Sequence, residues 1–201
     1  MAYSDFTLDT VINKFDLRLK TLALFTQLEK VAVSEGLQKS LTTGKRLAIS
    51  SGNEKARSEF LIAPIMIELE QTFDQKIAIY SGKNLDADRG NGLFGECDFV
   101  ISKGEQVFMI QSPILAIVEA KKADIELGLG QCVAQMIGAK LMNERQDLNH
   151  PIYGCVTTGE DWQFLKLEEN ILYIDSDRYY INEVDKILGC LHAIIKSFIN
   201  N

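Results

Sequence analysis

The sequence predicts an α/β protein, built as a three-layer α/β/α sandwich with a central mixed sheet. Its segments follow the order helix, three or four strands, helix, strand, which is typical of this architecture. The 201 residues are enough to bury one substantial core, and no internal repeat or low-complexity stretch interrupts them. We therefore expect one structural domain, in which residues 1–50 form a helical extension packed on a core of residues 51–201.

Residues 1–50 are predicted to be mainly helical. Apolar side chains between residues 17 and 28 form one broad face, and a second helix is indicated by Leu37, Leu41 and Leu47. The same region carries a group of basic residues: Lys14, Arg18, Lys20, Lys39, Lys45 and Arg46. These cations fit either a solvated helix face or a surface that flanks bound nucleic acid.

The middle of the chain begins with a break that has good helix-capping chemistry, Ser50–Asn53. A helix is predicted from Glu54 to about Phe73, with a kink at Pro64. A strand is predicted over Lys76–Tyr80, and a polar, glycine-rich loop over Ser81–Gly95.

The next segments are a predicted hairpin, a strand and a long helix. Cys97–Ser102 and Val107–Gln111 form the hairpin around Gly104. The strand is Ile114–Glu119, and the helix is Asp124–Asn143. Small residues would let this helix approach the sheet closely: Gly128, Gly130, Ala134 and Gly138.

The last fifty residues complete the predicted sheet and close the sandwich. Pro151–Thr157 is typical of a strand, and Trp162–Leu167 and Ile171–Ile174 are shorter strand candidates. Glu183–Ile199 is predicted to be a closing amphipathic helix.

The net charge and the cysteines narrow the class of protein. A net charge of −7 argues against a protein that coats nucleic acid non-specifically, although a local basic patch or bound cations would still allow a nuclease. There is no signal pattern and no apolar run of membrane-spanning length, and the four scattered cysteines are predicted to be buried free thiols. We expect a cytoplasmic protein with no membrane partner and no zinc site.

The run I-L-A-I-V-E-A-K-K carries the candidate chemistry. It ends an apolar strand on Glu119, and Lys121 follows on the same side because side chains two apart in a strand share a face. A second carboxylate, Asp98, lies at the start of an earlier strand. Two interpretations stay open: an ion pair between Glu119 and Lys121 at a strand end, or a site for metal-assisted phosphodiester hydrolysis.

The second interpretation assigns a role to each residue. Mg²⁺ prefers oxygen ligands and commonly uses one or two carboxylates, which Asp98 and Glu119 would supply. The carbonyl of Ala120 would add a third oxygen, and Mn²⁺ is expected to substitute. Lys121 would lie beside the attacking water and orient it, or stabilise the charge that develops on the phosphate.

This arrangement resembles the PD-(D/E)XK nuclease superfamily. The matching pieces are G-E-C-D-F-V-I-S and A-I-V-E-A-K; the proline of the name is absent, because Cys97 precedes Asp98. The resemblance implies a restriction endonuclease-like fold, with Asp98 and Glu119 as metal ligands and Lys121 as the catalytic lysine.

Two helices extend the resemblance over about half of the chain. The run N-E-K-A-R-S-E-F-L-I-A-P resembles the helix opening of type I restriction-enzyme motor-subunit nuclease domains, and it implies a catalytic acid at Glu54, with Glu59 as the competing candidate. In G-L-G-Q-C-V-A-Q, Gln131 is the implied catalytic glutamine, and Gln135 lies one turn later on the same face as a candidate substrate contact. A first-turn acid and a polar helix face are the simpler interpretations of Glu54 and Gln131.

The loop before Asp98 supplies further candidates by position alone: Lys83, Arg89 and Asn91 are candidate substrate contacts. The sequence thus predicts a Mg²⁺-dependent, endonuclease-like enzyme that hydrolyses nucleic acid, with DNA as the expected substrate. A homodimer would place two sites on the two strands of a duplex, and an unidentified protein partner is a second option. The alternative is a catalytically silent protein of the same fold that acts in binding or assembly.

Overall fold

A mixed β-sheet forms the centre of the protein. The structure is a computed structural model of the chain, and it describes residues 1–199. The strands are β1 (Arg18–Leu22), β2 (Ile77–Asn84), β3 (Glu96–Lys103), β4 (Ile114–Ala120), β5 (Ile152–Thr157), β6 (Asp161–Glu168), β7 (Ile171–Asp175) and β8 (Tyr179–Tyr180). Their order across the sheet is β1-β7-β6-β5-β4-β3-β2, with β8 beside β6. The pairs β4–β5 and β1–β7 are parallel and the others antiparallel, so the sheet is mixed as predicted.

Helices cover both faces of this sheet. They are α1 (Leu8–Lys14), α2 (Glu35–Ser51), α3 (Glu54–Arg57), α4 (Ala63–Phe73), α5 (Glu126–Glu144) and α6 (Val184–Ile199). Adjacent residues of β4 point to opposite faces: Val118 joins an apolar cluster with α2, α4 and α6, and Ile117 joins one with α1 and α5. The α/β class predicted from the sequence is therefore confirmed.

The helix predicted over Glu54–Phe73 is helical throughout, but it is not regular. A π-helical turn, Ser58–Ile62, separates α3 from α4. Pro64 follows this turn and has no N–H to donate to the carbonyl of Phe60. That carbonyl lies against Gly44 of α2, where a Cβ would be only 2.1 Å from the oxygen.

The helix predicted between residues 17 and 28 is wrong. Arg18–Leu22 instead forms the edge strand β1, in parallel register with β7, and an irregular segment follows it. Leu17 and Leu19 are two apart, so their spacing also fits a strand, and the free edge of β7 supplies the hydrogen bonds. Residues 1–50 therefore contribute a strand to the central sheet as well as helices.

The second strand of the predicted hairpin, Val107–Gln111, is also wrong. β3 already pairs with β2 on one side and with β4 on the other, so it offers no free edge to a further strand. The segment is a loop in which Phe108 and Met109 are 96% and 73% exposed. The other predicted strands and helices are confirmed, with boundaries that differ by a few residues and β2 continuing to Asn84.

The small residues of α5 serve two different contacts. At Gly128 a Cβ would lie 2.6 Å from Val156 of the sheet, so the helix does approach the sheet closely there, as predicted. At Gly130 and Gly138 the neighbours belong to the N-terminal segment: a Cβ would lie 2.3 Å from the backbone of Thr7 and 2.1 Å from the hydroxyl of Tyr3, respectively. The prediction of close approach to the sheet is therefore confirmed for Gly128, whereas Gly130 and Gly138 lie against the N-terminal segment.

The four cysteines are buried free thiols, as predicted. Among residues 1–199, no helix combines the length and the apolar character that crossing a membrane requires.

Candidate active site

The two predicted carboxylates lie side by side on neighbouring strands. Phe99 of β3 pairs with Val118 of β4 in antiparallel register, which places Asp98 next to Glu119. The backbone N–H of Ala120 donates a hydrogen bond to Asp98 Oδ2 at 2.7 Å. The start of β3 and the end of β4 thus bring both acids to one end of the sheet.

Lys121 follows β4 and turns back onto Glu119. Its Nζ donates a hydrogen bond to Glu119 Oε1 at 2.6 Å, and its backbone N–H donates to the carbonyl of Thr157 on β5 at 2.8 Å. The side chains of Glu119 and Lys121 are only 2% and 17% exposed. They share one side of the strand as predicted, and their ion pair is buried rather than solvated.

One face of α5 holds both members of this ion pair. Gln131 Oε1 accepts a hydrogen bond from Lys121 Nζ at 3.2 Å, and Gln135 Nε2 donates one to Glu119 Oε2 at 2.8 Å. The spacing of one helical turn between the two glutamines makes this double contact possible. Gln135 is fully buried, and its Oε1 has no hydrogen-bond partner in the described part of the chain. The amide of Gln135 therefore orients Glu119, whereas the sequence had placed it against substrate.

The aliphatic part of Lys121 lies in a space that only a glycine leaves open. A Cβ at Gly128 would be 2.9 Å from Lys121 Cγ. The first turns of α5 thus hold the lysine in three ways: Gly128 leaves room for its stem, Gln131 accepts from its ammonium, and Gln135 fixes the carboxylate to which the ammonium is bound.

Burial dominates the electrostatics of these side chains. It raises the pKa of Asp98 above its ordinary value, and together with the negative charge of Asp98 it raises the pKa of Glu119 to about 7. Burial alone would lower the pKa of Lys121, but the adjacent Glu119 outweighs it, so the pKa of Lys121 is raised overall. Lys121 is therefore an ammonium at neutral pH, while both acids carry charge only at an energetic cost.

The two candidate helix acids, Glu54 and Glu59, have different surroundings. Glu54 is the first residue of α3, and its charge acts on the pKa values of both Asp98 and Lys121. Glu59 instead lies beside Lys55, with their charged groups 3.8 Å apart, and it lines a groove next to α2. Of the two predicted helix acids, Glu54 is the one near the site.

A contact between distant parts of the chain holds α3 at this position. Arg57 Nη1 donates to the carbonyl of Thr158 at 3.0 Å and to Glu160 Oε2 at 2.7 Å, which ties α3 to the end of β5. Sequence reasoning missed Arg57, because nothing in the local pattern indicates partners a hundred residues away.

Of the three candidates predicted in the loop, Arg89 and Asn91 make contacts outside the carboxylate site, whereas Lys83 belongs to β2 and not to the loop. Lys83 is exposed on β2 opposite Cys97. Arg89 pairs with Asp86 and lies over the ring of Phe94. Asn91 donates a hydrogen bond to Asp88, and its carbonyl accepts one from Lys14. Substrate contact by Lys83, Arg89 and Asn91 stays a prediction.

The donors at this end of the sheet fit a hard divalent cation better than a soft one. In residues 1–199 no cluster of three or more His, Cys, Asp and Glu side chains is arranged to hold a metal ion, so a closed, all-protein site is absent there. Asp98 and Glu119 form a pair of carboxylates, however, and Asp98 Oδ1 makes no hydrogen bond to any described residue. Mg²⁺ commonly binds through one or two carboxylates and keeps several waters, so the donor set fits it.

Comparison with known proteins adds nothing to this geometry: no protein-family model, curated protein or solved structure matches the chain. The resemblance to the PD-(D/E)XK superfamily therefore rests on the quoted motifs. The case for a function rests on the arrangement of Asp98, Glu119 and Lys121.

Proposed function

We propose that the protein is a Mg²⁺-dependent nuclease of the PD-(D/E)XK type, with a restriction endonuclease-like fold and DNA as the expected substrate. The observation that carries the proposal is the pair of carboxylates, the half-buried Asp98 and the buried Glu119, beside the single ammonium of Lys121. The connection of β4 to the parallel strand β5 through α5 supports the fold, because it places the acids and the helix glutamines at one end of the sheet.

The charge balance favours a cation site over an ion pair of purely structural use. A structural pair needs one acid for one lysine, and here Asp98 adds a second acid whose charge raises the pKa of Glu119. The negative charge of Glu54 acts on Asp98 in the same direction. Without a cation this arrangement is costly, since like charges at short range oppose ionisation.

Each residue has a definite part in the proposed reaction. Asp98, Glu119 and the carbonyl of Ala120 would hold Mg²⁺, or Mn²⁺ in its place. When bound, the cation supplies polarisation of the phosphoryl oxygen and a lowered pKa for the attacking water. Gln135 keeps Glu119 in its orientation, and Gln131 keeps the ammonium of Lys121 at the site.

The raised pKa of Lys121 decides what this residue does. In the metal-free protein the raised pKa keeps Lys121 as an ammonium at neutral pH, and we assign it no general-base role. It can donate hydrogen bonds to the attacking water or to the phosphate oxygens, where negative charge develops as the bond to the leaving group breaks. Lys121 therefore orients the attacking water and stabilises the negative charge on the phosphate oxygens.

A cleavage assay with four substrates tests this function. Supercoiled plasmid, linear duplex DNA, single-stranded DNA and RNA are each incubated with Mg²⁺, with Mn²⁺ or with EDTA. We expect cleavage of DNA with either metal, none with EDTA, and none by Asp98→Asn, which keeps the shape of the side chain but weakens the ligand. Linear plasmid that appears without a nicked intermediate would indicate a homodimer. Cleavage that persists in EDTA would contradict the metal-dependent reaction.

A further inference from the structure

Helix α2 differs in charge from the rest of the chain. The protein has a net charge of −7, yet residues 36–53 contain no aspartate or glutamate and carry three cations: Lys39, Lys45 and Arg46. A nucleic-acid backbone is a dense array of negative charge, and it binds where cations are not already neutralised.

The exposed side of α2 presents a polar stripe. Its buried residues face the core: Leu37, Leu41, Gly44 and Ala48. On the exposed side, Thr42, Arg46 and Ser50 follow one another at intervals of one helical turn. The half-buried Lys45 precedes Arg46 in sequence, and Ile49 is the one large apolar side chain of α2 that is strongly exposed. We call Thr42, Lys45, Arg46 and Ser50 the α2 stripe.

The two cations of the α2 stripe are unpaired. Lys39, nearer the start of α2, lies 3.6 Å from Glu35. Lys45 and Arg46 make no ion pair and no side-chain hydrogen bond with any residue in the range 1–199. They also precede the last turn of the helix, so the helix dipole gives them little stabilisation.

The α2 stripe is connected through a short turn to α3, the helix that begins with Glu54. Helix α2 ends at Ser51, Gly52 turns the chain with a φ of 61°, and the side chain of Asn53 accepts a hydrogen bond from Ala56 N–H at the start of α3. The next residue, Glu54, acts on the pKa values of Asp98 and Lys121. Arg46 lies about 8 Å along the helix axis from the end of α2, which is the length of roughly two nucleotide steps along one strand.

We propose that the α2 stripe binds the sugar–phosphate backbone of the substrate, a few nucleotides away from the bond that is cut. Lys45 and Arg46 bind neighbouring phosphates of one strand, while the hydroxyls of Thr42 and Ser50 stay bonded to the helix carbonyls of Gln38 and Arg46. These contacts position the substrate and carry no sequence information, because only the backbone is touched. The inference rests on the proposed nuclease function, and it assigns to α2 the non-specific part of substrate affinity.

The test measures binding separately from cleavage. A fluorescein-labelled 24-base-pair DNA duplex and its RNA counterpart are titrated with the full chain in EDTA, and anisotropy is followed at several salt concentrations. The variant is Lys45→Gln/Arg46→Gln, since glutamine keeps helix propensity. The matched control is Lys30→Gln/Lys76→Gln, which removes two exposed lysines outside α2 whose side chains make no ion pair or hydrogen bond with any of residues 1–199. Circular dichroism confirms that each variant is folded.

We expect the α2 variant to bind more weakly than the wild type, with the slope of log K against log salt reduced by about 2 for two lost phosphate contacts. The control keeps the wild-type affinity and slope. The α2 stripe is supported by this result even if no substrate is cleaved, and DNA and RNA are ranked by their affinities. The proposal for the α2 stripe is overturned if the α2 variant has the same affinity and salt slope as the wild type, even where the wild type cleaves DNA. It is also overturned if the wild type binds neither duplex.

Discussion

Replacing Lys121 by Ala is expected to lower the rate of DNA cleavage on the order of 10²- to 10³-fold, the effect typical of removing one group that stabilises developing charge. The ammonium of Lys121 is bound to Glu119 and Gln131, and it is not a candidate metal ligand. Loss of this positive charge should therefore leave binding of Mn²⁺ at pH 8 intact or strengthen it. Single-turnover cleavage and Mn²⁺ titration measure the two effects separately.

The adjacent lysine provides the control for this experiment. Lys122 is exposed and makes no contact with the carboxylates. Lys122→Ala changes the net charge by the same amount and should keep the wild-type cleavage rate. Equal rates for Lys121→Ala and the wild type would remove Lys121 from the catalytic assignment.

Replacing Glu119 by Gln is expected to stabilise the metal-free protein at pH 8 while abolishing cleavage. Burial and the charge of Asp98 raise the pKa of Glu119 from 4.5 to about 7. Between pH 4.5 and pH 7, Glu119 is therefore protonated in the folded protein but ionised in the unfolded protein. The contribution of Glu119 to stability is therefore fully present below pH 4.5 and is lost as the pH rises through 7. Glutamine mimics the protonated form at every pH and avoids this loss.

Thermal unfolding in EDTA at pH 5 and pH 8 measures the effect. We expect similar melting temperatures at pH 5 and a variant more stable by about 1–2 kcal/mol, or a few degrees, at pH 8. Added Mg²⁺ should stabilise the wild type and not the variant. Lys121 lowers the pKa of Glu119, and burial and Asp98 outweigh this effect, so we expect the loss of the ion pair to be the smaller contribution. If the ion pair were the larger contribution, removing one of its partners would destabilise the protein. A lower melting temperature of Glu119→Gln at pH 8 would thus favour the structural ion pair.

The fold was predictable where a segment's own pattern determines its structure. The apolar run that ends at Glu119 and the helical spacing of α5 are examples, and both elements are confirmed. The strand β1 was not predictable in this way, because its five residues are all exposed and its leucines fit a helix equally well. Only the free edge of β7, which is distant in sequence, makes this segment a strand.

The same distinction holds for the candidate site. The common side of Glu119 and Lys121 follows from the period of a strand, and the common face of Gln131 and Gln135 follows from the period of a helix. The pairing of Asp98 with Glu119 depends on the register between β3 and β4, which no local pattern fixes.

The loop candidates show the opposite failure of local reasoning. Arg89 and Asn91 were chosen by their position before Asp98, but Asp86 and Asp88 within the same loop engage both side chains. Arg89 and Asn91 are thus close to Asp98 in sequence but do not contact the carboxylates in the structure.

The alternative function, a catalytically silent binding or assembly protein, does not require Asp98, Glu119 and Lys121 to be arranged in this way. A binding or assembly protein gains nothing from two adjacent acids whose ionisation is opposed by desolvation, nor from a helix face that holds both Glu119 and Lys121. A protein of that class should tolerate Asp98→Asn without loss of any metal response.

Binding of Mn²⁺ to the wild type and to Asp98→Asn at pH 8 tests the central claim most directly, because it asks whether the two carboxylates form a cation site without requiring the right substrate. Isothermal titration calorimetry, with electron paramagnetic resonance of free Mn²⁺ as a second readout, gives stoichiometry and affinity. We predict saturable binding of about one ion per chain, as suits a site with two carboxylates, and its loss in Asp98→Asn. Absence of saturable binding to the wild type, or equal binding to both proteins, would contradict the metal site.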